Sequence, residues 1–527
     1  MLGVVVLDFG GQYAHLIARR IRELGVYSEI LPGDSPAEEV LSRRPGALVL
    51  SGGPMSVLEE GSPRPDPRLL DSGLPILGIC YGHQLLAHAL GGVVRRSPRA
   101  EYGGTRIIRR GESRLLEGLP DEFTAWMSHG DVVAEPPPGF SATAISESGL
   151  MAAMEDPDRG AGVYSVQFHP EVAHTEHGMD VIRNFLLSIA GLERDWNPVS
   201  RIPSMIEEVR GMVGPEDSVI CAVSGGVDSM TTAAIVHRAI GDRLHVVFVD
   251  HGLLREGEAE GVLRALGELG IRNVHFVDAS DRFLSALRGL TDPEEKRLAI
   301  GRTFAEVFEE VASRVRGAKF LAQGTIYPDR IESGASGRGA DRIKSHHNVA
   351  GLPERFGLRL IEPLRDLYKD EVRRIARELG LPDYIVDRHP FPGPGLAVRI
   401  EGEVTEEKLR IARRANAIVE EEFVRAGLYG AVWQAFAVLT EGRWVGVKGD
   451  RRELGRVVIV RAVTSEDGMT ADWYRIPHDL MARISKRITE EVPGIVMVAY
   501  AATSKPPATI EPYRAALPPS TRPSPCR

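Results

Sequence analysis

Two parallel-sheet α/β domains followed by a smaller α+β domain are the fold class this sequence predicts, and three observations carry it. Short β-branched runs alternate with helix-period segments over residues 1–190 and again over 204–395. In each stretch a glycine-bearing motif stands at a strand-to-helix junction: GICYG at 78–82 and SGGVDS at 224–229. Beyond HPFPGPG (His389–Gly395), whose prolines forbid a continuing helix, the pattern changes to one long helix and separated strands. Residues 191–203, with two prolines, read as a linker and 396–512 as the third domain. Residues 513–527, with four prolines and polar filler, read as a disordered tail.

The elements follow in order. Gly3–Leu7, Ala47–Leu50 and Pro75–Ile79 are apolar and short enough for buried strands, and His15–Leu24 and His83–Leu90 carry helical spacing. Shorter runs and frequent turns from Tyr102 to Gln167 predict an antiparallel insertion. In the second stretch Ser218–Val223, His245–Asp250, Asn273–Val277 and Phe320–Gln323 read as strands, with Thr231–Ile240 and Glu256–Leu269 as helices between them. Ser333–Asp341, rich in Gly, Arg and Ser, reads as a mobile segment. A helix over about Val404–Ala426 opens the last domain. Strands near Val432–Val438, Val457–Val463 and Ile495–Ala499 and a helix over 477–491 complete it.

Composition excludes several function classes. The 527 residues are 43% hydrophobic and 26% charged, which suits a soluble enzyme and not a collagenous or disordered chain. With 64 basic and 73 acidic residues and no dense Lys/Arg block, nucleic acid is not an expected partner. Three cysteines (Cys80, Cys221, Cys526) give neither a disulfide framework nor a CxxC metal pair. A reducing, cytoplasmic location is therefore expected. Leu2–Leu7 is too short, and lacks the basic flank, for a leader, and no run approaches a membrane span.

Cys80 stands between an apolar strand and a helix, flanked by Gly78 and Gly82. Small neighbours at these positions permit the sharp turn that exposes a nucleophile, and the helix N-terminus favours a thiolate and an oxyanion. A thiol nucleophile needs a base. VYSVQFHPE ends a strand with His169 and Glu171, two residues apart and so on one face of an extended segment. The glycines of SGGP (51–54), directly after a strand, can turn backbone N–H groups toward an oxyanion.

The second motif is a phosphate loop without the lysine of a Walker A sequence. Glycines after a strand and before a helix free backbone N–H groups for an anion, and Ser224 and Ser229 add hydroxyls. Asp228 within such a nest makes sense if Mg²⁺ accompanies the phosphates.

GICYGHQ, SGGP and QFHPE resemble the class I glutamine amidotransferases. That resemblance implies hydrolysis of glutamine to glutamate and ammonia, with Cys80 as nucleophile, His169 as base and Glu171 as its orienter. It also implies oxyanion amides from Gly53 and Tyr81, and glutamine held by Gln84, Ser128, His129 and Gly130. SGGVDS resembles the loop of the N-type ATP pyrophosphatases, with the adenine nucleotide α-hydrolase-like fold. HVVFVDHGLLR, IKSHHNVAGLPE, RHPFPGPGLAVRI, RAVTSEDGMTADW and SKPPATIE extend the likeness to the GMP synthetases over nearly the whole chain. The implied reaction converts XMP, ATP and glutamine to GMP, AMP, pyrophosphate and glutamate through an adenyl-XMP intermediate. ATP, with Mg²⁺, would lie on Ser224, Gly225, Gly226, Val227, Asp228, Ser229, Met230, Val249 and Lys369. XMP would lie on Arg255, Gln434, Lys505 and Glu511, and a lid over about 325–350 would use Asp329, Glu332, Lys344, His346 and His347. No dedicated protein metal site is implied, and the last domain implies a homodimer.

The chain departs from the family pattern at Met230, Arg330 and Ala501, and in continuing past Glu511 as PYRAALPPSTRPSPCR. Another amidotransferase of this loop class, such as an NAD synthetase, is the alternative; KPPATIE and HPFPGPG argue against it. A tRNA-adenylating reading needs a basic groove and stacking aromatics, but aromatics are 6% and the net charge is −9.

Overall fold

The computed structural model describes residues 2–330, 357–448, 451–465, 470–505 and 507–512. It divides into two compact units, residues 1–197 and 198–527, meeting inside the expected linker. The second half of that linker already belongs to the next unit, as a 3₁₀ turn (Pro198–Arg201) running into the helix Ile202–Met212.

The first unit is built on a nine-stranded sheet. β1 (Val4–Asp8), β2 (Ser28–Pro32), β3 (Ala47–Leu50) and β4 (Ile76–Ile79) are parallel. The antiparallel section holds β5 (Val93–Arg109), β6 (Glu122–Glu135), β7 (Ser141–Ser146) and β8 (Met151–Asp156). β9 (Val163–Val166) returns to lie parallel to β4 and antiparallel to β8. The order is β2-β1-β3-β4-β9-β8-β7-β5-β6, so the fully buried β3, β4 and β9 sit side by side near the centre. The antiparallel section begins at Val93, nine residues before the expected Tyr102. Arg95, Arg96 and Ser97 interrupt its apolar pattern, and the β5–β6 register shifts between Arg96 and Glu101.

The second unit holds two sheets. β10 (Ser218–Ala222), β11 (Leu244–Asp250), β12 (Val274–Asp278), β13 (Ala318–Ala322) and β14 (Arg359–Ile361) are all parallel, in the order β12-β11-β10-β13-β14. The chain builds outward from β10 in one direction and then returns to its other side. The carboxyl end of β10 is thus the switch point where such sheets open a crevice. The other sheet pairs β15 (Gln434–Lys448) with β16 (Arg451–Thr464) as a long hairpin, and β17 (Asp472–Trp473) and β18 (Ile495–Tyr500) pair with β16.

The helix Glu406–Arg425 is capped by the Thr405 hydroxyl accepting from Lys408 N, with Glu406 and Glu407 in its first turn favouring the positive end of the dipole. A twenty-residue helix, Pro293–Ala312, was not among the sequence expectations. Its signal was legible: Asp292 caps two backbone N–H groups and Pro293 opens the first turn. This helix buries Lys296, whose ammonium donates to the carbonyl oxygens of Ile400 (2.8 Å) and Ala397 (3.3 Å). One apolar core runs from Ile220 and Val247 through Phe304 and Leu396 to Leu439 and Ile495. The 395/396 boundary therefore separates two sheets but not two cores.

Candidate active sites

The first site is centred on a strained backbone. Cys80 follows β4 and precedes the helix Tyr81–Ala89, which starts two residues before the expected His83, with φ 54° and ψ −101°. The neighbours explain why the turn can form. A Cβ on Gly78 would lie 2.6 Å from Gly82 O, and one on Gly82 would lie 2.3 Å from Leu50 O. Two glycines thus let the elbow pack onto β3 while Cys80 N donates to Val166 O at 2.8 Å. Gly52 admits the facing partners: its Cβ would lie 3.3 Å from His169 Cε1 and 3.7 Å from Cys80 Cβ.

His169 Nδ1 lies 2.7 Å from Glu171 Oε1, and both side chains are buried. Burial opposes the imidazolium, but the charges of Glu171 and Cys80 and the hydrogen bonds to both outweigh it, so the His169 pKa stands well above its usual value. The ring is held by His169 N donating to Trp126 O, by Thr175 Oγ1 donating to His169 O, and by the edge of Tyr13. A cavity of about 680 Å³ is lined by Gly53, Cys80, Tyr81, Gln84, Ser128, His129, Gly130 and His169 among others. It gathers every sequence-derived residue of this site except Glu171, which sits behind the imidazole.

Two of these residues are already engaged. The Gln84 amide donates to Asp131 O (3.0 Å) and Gln167 Oε1 (3.1 Å). His129 bonds Asp131 O through Nδ1 and Glu101 Oε2 (3.1 Å) through Nε2, while Ser146 donates to the other Glu101 oxygen. Both therefore brace the strand that carries Ser128 and Gly130. Glu101, Ser146 and Gln167 were missed by sequence reasoning, and no local spacing announces them.

The second site occupies the crevice predicted by the sheet order. β10 ends at Ala222, and the next helix starts at Val227, inside the motif and four residues before the expected Thr231. Gly225 has φ +79°. Ser229 Oγ accepts from Ser224 N and donates to Gly226 O, which sets the loop's curvature. Lys369, the first residue of the helix Lys369–Glu378, reaches Asp228 Oδ2 at 2.6 Å. Asp228 Oδ1 is buried without a hydrogen-bond partner among the described residues. Ser224, Gly226, Asp228, Ser229 and Val249 line a cavity of about 240 Å³ with Gly324 and Thr325. Gly225, Val227, Met230 and Lys369 are outside its lining. Met230 is fully buried and its N–H donates to Gly226 O, so it belongs to the helix core.

HPFPGPG, read from sequence as a domain boundary and as part of the family likeness, is the hub of a neighbouring cluster. Arg255 Nη2 donates to His389 O (2.9 Å), and its guanidinium lies 4.3 Å from the Phe391 ring centroid. Gln434 donates to Pro390 O (2.7 Å) and Glu511 Oε1 (3.2 Å). Arg399, missed from sequence, clasps Glu511 with two bonds, Nη2–Oε1 at 2.6 Å and Nε–Oε2 at 3.1 Å, in a buried pair. Arg255, Gln434 and Glu511 are thus gathered around one segment. Lys505 is held elsewhere, by backbone pairing with Ala471. Arg461 donates to the carbonyls of Thr503, Thr509 and Ile510 and so fixes the approach to Glu511. Asp329 accepts from Ile326 N, and the unusual Arg330 pairs with Asp366. Glu332, Lys344, His346, His347, the Ser333–Asp341 segment and the 513–527 tail lie outside the described residues.

Residues 5–189 match the class-I glutamine amidotransferase family, and residues 421–512 match the GMP synthase C-terminal domain. The glutamine-hydrolyzing GMP synthase of Pyrobaculum aerophilum is 55% identical over 509 residues, covering 97% of this chain and 99% of that one. Those of Thermus thermophilus and Carboxydothermus hydrogenoformans are 57% and 54% identical over 508 residues, covering 96% of this chain and 99% of each. Identity of this order along nearly the full length, with an elbow cysteine in one unit and the SGGVDS loop in the other, means that the chain belongs to the family of glutamine-hydrolysing GMP synthases, ligases that use glutamine as amide donor.

Proposed function

We propose that the chain divides GMP synthesis between its two cavities, with the residue roles as follows. In the first, the Cys80 sulfur attacks the side-chain carbonyl of glutamine. The N–H groups of Gly53 and Tyr81 receive the oxyanion, and the His169 imidazolium gives its proton to the departing ammonia. Water then cleaves the thioester to glutamate. Glu171 keeps the imidazole oriented and charged. The observation that carries this half is the Cys80 elbow facing a buried His169–Glu171 pair across Gly52.

In the second cavity O2 of XMP attacks the α-phosphorus of ATP and pyrophosphate leaves. Ammonia then adds at C2 of the base and AMP departs. The serines and amides of residues 224–229 hold the pyrophosphate, and Lys369 stands beside them. Mg²⁺ brought with ATP supplies neutralising charge on the phosphates, and the unpartnered Asp228 Oδ1 fits it. Arg255, Gln434 and Glu511 bind XMP. The buried Nη1 of Arg255, without a partner among the described residues, supports that role.

The chain acts in the cytoplasm as a homodimer on this reading. Among the described residues no helix is long and apolar enough to cross a membrane. Trp444, Val445 and Leu454 are exposed on the β15–β16 hairpin, and a second copy covers them. The deciding experiment is product analysis of the full chain with XMP, ATP and Mg²⁺, with glutamine or ammonium as nitrogen source. GMP, AMP and pyrophosphate in equal amounts are expected with either. Absence of AMP overturns the adenylation route, and a monomer in sedimentation overturns the dimer.

A further inference from the structure

Between the phosphate loop and the residues assigned to XMP stands a buried carboxylate with no role so far. Glu258 opens the helix Glu258–Glu268, and its side chain is 4% exposed. One oxygen, Oε1, lies 3.0 Å from Arg388 Nη1, and the other, Oε2, accepts from the backbone N–H of Arg255 at 3.0 Å. Arg388 in turn donates through Nη2 to the carbonyl of Gly225, in the phosphate loop. Arg255 closes the circuit by donating to the carbonyl of His389, the residue bonded to Arg388. The same helix packs Val262 against Gly225: a Cβ there would lie 2.6 Å from Val262 Cγ2 and 3.2 Å from Arg388 Nη2.

We infer that Glu258 is a positioning residue that couples the ATP loop to the XMP site, by holding Arg388 on Gly225 and Arg255 in its place with its two oxygens. The inference rests on the assignment of Gly225 to the ATP site and Arg255 to the XMP site. The physical reason is satisfaction of a buried charge. A guanidinium ion-paired with a buried carboxylate while it donates to a carbonyl has few other stable positions, so displacement of the loop displaces the Arg255 segment as well. Each half of the site is then set in register with the other before the substrates arrive. That register matters because the attacking oxygen and the α-phosphorus must be held within about 0.5 Å of the reacting geometry.

The test uses the full chain with ammonium as nitrogen source, varying XMP and ATP independently, for wild type, Glu258→Gln, Arg388→Lys and the double variant. Glu258→Gln is expected to raise KM for ATP and for XMP together, each about 10-fold or more, because one buried carboxylate and its ion pair anchor both sites. The double variant is expected to be no worse than the poorer single variant by more than about 3-fold, because both changes break one connection. A change confined to one substrate, a loss in kcat alone, or multiplied losses in the double variant overturns the inference. If Glu258→Gln does not fold, Arg388→Lys carries the same test by the same criterion. Wild type that makes no GMP from XMP, ATP and ammonium fails the underlying assignment instead, and the two failures are therefore distinct.

Discussion

Replacing Cys80 by glycine and, separately, by alanine isolates the strain stored at the elbow. Both variants lack the thiol, so both lose glutamine-dependent synthesis while retaining synthesis from ammonium. They differ in the backbone. At φ 54° and ψ −101° a residue with a Cβ occupies a region that glycine enters freely. Holding a non-glycine residue there costs about 1–3 kcal/mol, with this corner toward the upper end. Glycine gives back roughly 0.5–1 kcal/mol through the entropy it loses on folding. Cys80→Gly is therefore expected to be more stable than Cys80→Ala by about 1–2 kcal/mol. For a unit of 150–250 residues this is about 2–8 °C in Tm. Scanning calorimetry of the full chain reads it as a shift in the transition of the first unit, with urea unfolding as an isothermal check. Equal stability, or a less stable glycine variant, refutes the reasoning: the elbow would then carry no strain for the fold to hold.

Asp228→Ala is expected to abolish GMP formation with either nitrogen source, by about 10²-fold or more, while glutamine hydrolysis continues; pyrophosphate release at the wild-type rate sinks that role. Arg399→Met leaves the buried Glu511 uncompensated and is expected to destabilise by about 3–5 kcal/mol, much of it recovered in Arg399→Met/Glu511→Met, as urea unfolding of the two variants will read. Buried His83, bonded to Ser165, has its pKa pushed down to about 3 by burial and by the nearby His129. Its unfolded form takes up a proton below about pH 6.5 while the folded form does not, so stability falls as pH drops through that window. The loss is about 2 kcal/mol between pH 7 and 5, and His83→Gln should flatten the slope; an unchanged slope contradicts the assignment.

What the sequence alone determined is what local periodicity and spacing encode. β1, β3 and β4 were legible because strands buried on both faces are continuous apolar runs. The Cys80 elbow and the Ser224–Ser229 loop were legible because a tight turn restricts residue type at fixed offsets, and His169 with Glu171 because a separation of two puts both on one face. The tertiary structure decided the rest. Glu101 meets His129 across 28 positions and Arg399 meets Glu511 across 112, separations that leave no mark in any local window. Gln84 and His129, which the family resemblance places on glutamine, also brace strand β6, which only their facing partners reveal. The β15–β16 hairpin extends beyond its predicted strands because its outer half exposes Trp444, Val445 and Leu454, so no alternation between core and solvent marks it. No motif or spacing singles out Glu258 within the expected helix Glu256–Leu269. Packing buries it between two arginine segments, and that burial is a property of three chain segments brought together, not of any one of them.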